Sequence, residues 1–78
     1  MPYGLPSVIK LQRHETGLDL DRIDEEYGGH LIITVPEGTV VLPVHQLADQ
    51  DGWNGEWLCI DREGKRLAIL GDKLRLSL

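Results

Sequence analysis

Turn signals cut this chain into short aliphatic runs, and that punctuation constrains its fold more than any other feature. Pro36-Glu37-Gly38 separates Leu31-Ile32-Ile33-Thr34-Val35 from Thr39-Val40-Val41-Leu42, and Arg62-Glu63-Gly64-Lys65 separates Trp57-Leu58-Cys59-Ile60-Asp61 from Arg66-Leu67-Ala68-Ile69-Leu70. Proline presets φ, glycine accepts a positive φ, and branched aliphatic side chains favour extended backbone. Both segments are therefore expected to be hairpins, the second with Gly64 in a bulged loop. Gly71-Asp72 predicts a further two-residue turn. Beyond it Leu74, Leu76 and Leu78 alternate with Lys73, Arg75 and Ser77, as in a strand with one wet face. The last third is thus expected to be a three-stranded meander.

Nearer the start, Val8 to Gln12 predicts a short strand with Ile9 and Leu11 on one side. Pro43 cannot donate to a sheet ladder, so its strand is expected to end there or to run along an edge. Val44, Leu47 and Ala48 then suit one helical turn, followed by a polar loop around Gly52. The segment from Thr16 to Gly29 fits two patterns. Thr16 and Asp19 resemble a capping box, Leu20, Ile23 and Tyr27 share one helical face, and Gly28 suits a helix C-terminus, which predicts a short acidic helix over about residues 17–27. The alternation Leu18-Asp19-Leu20-Asp21 equally describes a strand bulged near Arg22.

These pieces predict a mainly β protein: a small, partly open barrel or twisted antiparallel sheet built from hairpins, carrying one short acidic helix. With 78 residues, positions 1–78 form one domain with a modest core. Phe is absent, and the aromatic residues are Tyr3, Tyr27, Trp53 and Trp57, so packing falls to Leu, Ile and Val. Trp57, at a strand start, is expected in the core. Trp53, in Gly52-Trp53-Asn54-Gly55, is expected either to cap the barrel or to stand exposed as an interface anchor.

The net charge of −5 is concentrated in one place. Glu15, Asp19, Asp21, Asp24, Glu25 and Glu26 face a single Arg22, and the remainder of the chain is neutral. Nucleic-acid binders gather Lys and Arg to displace counterions, so direct nucleic-acid binding is not expected. An acidic patch suits a basic protein surface, or serves solubility. The first residues lack a basic segment and an apolar run, so neither secretion nor membrane insertion is expected. The single cysteine, Cys59, between Leu58 and Ile60, predicts a buried thiol in a reducing compartment, hence a cytoplasmic protein.

Reactive constellations are scarce. Ser7 and Ser77 lie near the two ends, outside any nucleophile elbow. Cys59 is flanked by apolar residues, and His14, His30 and His45 stand fifteen or sixteen positions apart without the close pairs of a zinc site. Leu20 and Ile23 interrupt the acidic run where a calcium loop needs oxygen ligands. No catalytic residue, cofactor or metal is expected.

What remains is recognition. Asp19, Asp21, Asp24, Glu25 and Glu26, with Tyr27 or Trp53 as apolar anchor, are expected to contact a protein with a basic surface. By functional analogy with small acidic phage-type inhibitors, the chain is expected to block a nucleic-acid-handling protein by charge mimicry. The alternative is a structural subunit or homo-oligomeric barrel adaptor of a larger complex, a homodimer included. It would pair through an edge such as Leu74 to Leu78 or the turn at Pro36-Glu37-Gly38.

Overall fold

The computed structural model describes residues 8–47 and 55–78. Among these residues six antiparallel strands form one open sheet: β1 (Ile9–Lys10), β2 (Glu15–Ile23), β3 (His30–Val35), β4 (Val40–Gln46), β5 (Glu56–Asp61) and β6 (Arg66–Leu70). A single short helix among them, α1 (Gly71–Arg75), follows. The strand order is β1-β4-β5-β6-β2-β3. The protein is therefore mainly β, and Trp53 with Ala48 and Gly52 lies outside the described residues.

Two features impose curvature on the sheet. In a flat sheet β3 and β4 would lie four strand spacings, roughly 19 Å, apart. Only Pro36 to Thr39 join them, tightened by a turn in which the Thr39 N–H donates to the Pro36 carbonyl at 3.2 Å and Gly38 has φ +87°. The sheet must curl to let so short a link reach. At its other border Leu11 clamps β1 to the same turn, donating to the Thr39 carbonyl at 2.9 Å and accepting from the Gly38 N–H at 2.8 Å.

The concave side holds the core of Ile9, Leu11, Val35, Val41, Cys59, Leu67, Ile69 and Leu74, with Ile33 and Trp57 packed against it. Gly17 belongs to this layer because little else fits. A Cβ there would stand 3.0 Å from the Ala68 carbonyl oxygen and 3.3 Å from Val35 Cγ2. Among the described residues, no helix is long and apolar enough to cross a membrane.

Local turn chemistry is as expected around residues 61–65. Gly64 has φ +82°, its N–H donates to the Asp61 carbonyl, and Asp61 Oδ1 accepts from the N–H groups of Glu63 and Lys65, both at 2.9 Å. β5 and β6 pair across this turn from Ile60–Arg66 to Glu56–Leu70.

Four expectations are corrected. Leu31–Val35 and Thr39–Leu42 flank a genuine turn but do not pair; β3 pairs with β2, and β4 lies between β1 and β5. The chain after Leu70 is a helix, not a third meander strand. Gly71, Leu74 and Ser77 are buried at a spacing of three, while Leu76 and Leu78 are 50 % and 63 % exposed. β4 continues through Pro43 to Gln46 and forms no helical turn. A register shift between Pro43 and His45 accommodates the proline, and β1 covers only Val40 and Val41, so Pro43 occupies an edge. Finally, residues 17–27 form no helix: β2 runs to Ile23, and its register with β3 shifts between Asp19 and Ile23, around Arg22.

Candidate functional site: the acidic tip of the β2–β3 hairpin

The inner face of β2 is unusual in being polar. Glu15, Gly17 and Asp19 point into the core, at 5 % exposure for Glu15 and 1 % for Asp19, whereas Leu18 and Leu20 on the opposite face are half-buried. Asp19 is therefore inaccessible to a partner, contrary to its expected place in a docking patch. Its Oδ1 accepts from the Asp21 N–H at 3.0 Å, tying off an amide where the ladder shifts register, and Lys65 Nζ stands 4.0 Å from its Oδ2. Glu15 Oε2 is buried with no hydrogen-bond partner among the described residues.

Asp21 is exposed but engaged. It accepts from the Arg66 backbone N–H at 3.2 Å, from Arg66 Nε at 2.9 Å and from Nη2. These side-chain hydrogen bonds hold the Asp21 carboxyl below the usual carboxylate range and raise Arg66. Asp21 thus fixes β2 to the start of β6 and is not a free acid.

Beyond Asp21 the hairpin extends past β6. β2 meets β6 in the ladder only at Leu18 and Asp19, so the last part of β2 has β3 as its sole ladder partner. The connecting loop is one tight turn. The Asp24 N–H donates to the Gly29 carbonyl at 2.8 Å, the Gly28 N–H donates to the Asp24 carbonyl at 2.7 Å, and Gly28 takes φ +84°. Asp24 Oδ1 accepts from the Glu26 and Tyr27 N–H groups, at 3.1 and 3.3 Å, so its carboxylate organises the loop from within. The helix-like signal at Gly28 is explained by this single turn, in which Gly28 takes the positive φ that a helix C-terminus also uses.

The tip gathers Asp24, Glu25, Glu26 and Tyr27. Glu25 and Glu26 are exposed, and among the described residues no hydrogen bond or ion pair engages their carboxylates, while Tyr27 and Ile23 are 77 % and 66 % exposed. Ile23 was missed as a surface residue because its spacing from Leu20 and Tyr27 mimics a buried helical face. Arg22, also exposed, is the one base between Glu15 and Tyr27.

The remaining chemistry-bearing groups do not converge. Among the described residues, no group of three His, Cys, Asp or Glu side chains is placed to hold a metal ion. Cys59 is fully buried, its thiol 3.7 Å from the Trp57 carbonyl, and burial pushes its pKa up to about 12, so it stays protonated. An open pocket of about 410 Å³ lies across β2, β3 and β6, with Leu18, Ile32, Ala68 and Leu70 among its walls and His14, Glu15, Glu56 and Lys73 also lining it. The chain matches no protein-family model, no curated protein and no solved structure.

Proposed function

We propose that this chain is a non-enzymatic protein-binding module that docks the tip of its β2–β3 hairpin onto a basic surface of another protein. One observation carries the reading: Ile23 and Tyr27, 66 % and 77 % exposed, stand beside Glu25 and Glu26 on a turn that the Asp24 carboxylate braces through the Glu26 and Tyr27 N–H groups. Exposed aliphatic and aromatic side chains favour burial against a partner, and the two free carboxylates select a partner with Lys or Arg around the contact. A preorganised loop loses little conformational freedom on binding.

Proteins that handle nucleic acids present basic surfaces of this kind, so the module would act as an inhibitor by occupying one. Within the acidic run from Glu15 to Glu26, the charge available for such mimicry lies at the tip, because Glu15 and Asp19 are buried and Asp21 is paired with Arg66.

The test is capture from native lysate by wild type and by the double variant Glu25→Lys, Glu26→Lys, at low and high salt. A protein held by the wild type, released by salt and lost with the double variant is the expected result. Equal capture by both chains in both salts would refute the reading.

A further inference from the structure

The sheet protects its edges unequally. β1 is two residues long, and the next amides are taken: the Leu11 N–H by the Thr39 carbonyl, the Gln12 N–H by Ser77 Oγ at 3.0 Å. β4, past Val41, carries Pro43 and a register shift along its outer edge. Short length, proline and bulges are the usual devices that stop an edge from pairing with another chain. β3 has none of them. His30-Leu31-Ile32-Ile33-Thr34-Val35 contains no Lys, Arg, Asp, Glu, Pro or Gly and is the terminal strand of the sheet. Among the described residues no group on its outer side has a backbone or side-chain hydrogen bond.

We propose that β3 is a self-pairing edge, at which two copies of this chain join their sheets antiparallel about Ile32. Residues directly opposite in a sheet share a face, and the alternation of β3 satisfies this when Ile32 meets Ile32 of the second copy. His30 then faces Thr34, and Leu31 faces Ile33. His30, Ile32 and Thr34 are all exposed, whereas Leu31 and Ile33 are half-buried, so like faces meet like. Ile32, 58 % exposed, gains an apolar neighbour, and no like charges are set opposite one another. The same uncharged edge serves both copies, which is the requirement of a two-fold interface. A second copy is favoured over a foreign strand because its edge is already ordered and complementary, so pairing carries no cost of ordering a peptide.

Salt separates this surface from the hairpin tip. Each copy carries −5, so the copies repel and added salt strengthens their association, the reverse of its effect on an acidic tip bound to a basic partner.

Sedimentation velocity over a wide concentration range, at low and high salt, tests the proposal. Wild type should form a dimer whose population rises with salt. Ile32→Lys, an exposed position, should weaken the dimer by at least about tenfold while circular dichroism stays unchanged, since paired lysines would confront each other. Thr34→Lys, which sets a lysine opposite His30 of the second copy and places a charge on the bare edge, should weaken the dimer likewise and serves should Ile32→Lys fail to fold. Glu25→Lys with Glu26→Lys should leave the dimer intact, so loss of partner capture and loss of self-pairing are read independently. A wild type that stays monomeric at every concentration and salt, or a lysine variant that dimerises as well as wild type, would overturn the proposal.

Discussion

Asp21 grips Arg66 by both its backbone and its side chain: one carboxylate oxygen takes the Arg66 backbone N–H at 3.2 Å, the other takes Nε at 2.9 Å together with Nη2. This contact lies where β2 stops pairing with β6, so it marks the root from which the hairpin extends.

A pH dependence follows from that grip. Hydrogen bonding from Arg66 makes the folded Asp21 carboxyl harder to protonate than the unfolded one. The pair therefore contributes stability that is fully present above the unfolded carboxylate range and is lost as pH falls through the lower folded value. Both side chains are in contact with solvent, so the contribution is small. Thermal melts should show Asp21→Asn slightly below wild type at neutral pH, with the two converging in acid. A gap that persists or widens in acid would contradict this.

Leu74 and Leu76 distinguish a helix from a strand at the C-terminus. Leu74 is fully buried and Leu76 is half exposed. Leu74→Ala should cost about 2–5 kcal/mol, as for other buried leucines. Leu76→Ala should change stability by less than about 0.5 kcal/mol. Similar losses at both positions in urea unfolding would favour the alternating strand.

Glu15 offers a stabilising substitution. Its buried Oε2 lacks a hydrogen-bond partner among the described residues, and such a group costs roughly 1–3 kcal/mol of desolvation. Glu15→Met, of similar length and apolar, should raise the urea midpoint by a corresponding amount. A fall in the midpoint would show that the carboxylate has a compensating role.

Sequence patterns revealed the strands and turns better than their partners. The run Leu67-Ala68-Ile69 and the glycine at 64 announce a hairpin because turn and strands are adjacent in the chain. Pro36-Glu37-Gly38 announces a turn with equal clarity, yet the chain uses it to cross from one part of the curled sheet to another, which no local signal encodes. The acidic segment misled for a different reason. Hydrophobic periodicity assumes that polar residues face water, but on β2 Glu15 and Asp19 face inward while Leu18 and Leu20 face outward. The alternation was genuine and its polarity inverted. The C-terminal leucines show the complementary ambiguity: a short run with leucine at every second position also places Leu74 on the buried side of a short helix, three residues from Gly71 and three from Ser77 in the turn that follows.

The candidate site was legible only in part. Glu25, Glu26 and Tyr27 do stand at an exposed tip, and Asp24 shapes it. Asp19 and Asp21 are acids of the same run whose roles depend on Lys65 and Arg66, more than forty residues away in sequence.

Hydrogen–deuterium exchange of the chain, alone and with its captured protein partner, tests the central claim most directly. Slowed exchange over Ile23 to His30 on complex formation, at low salt, is the predicted result. Exchange unchanged across that tip, with protection appearing only over β5 and β6, would contradict it.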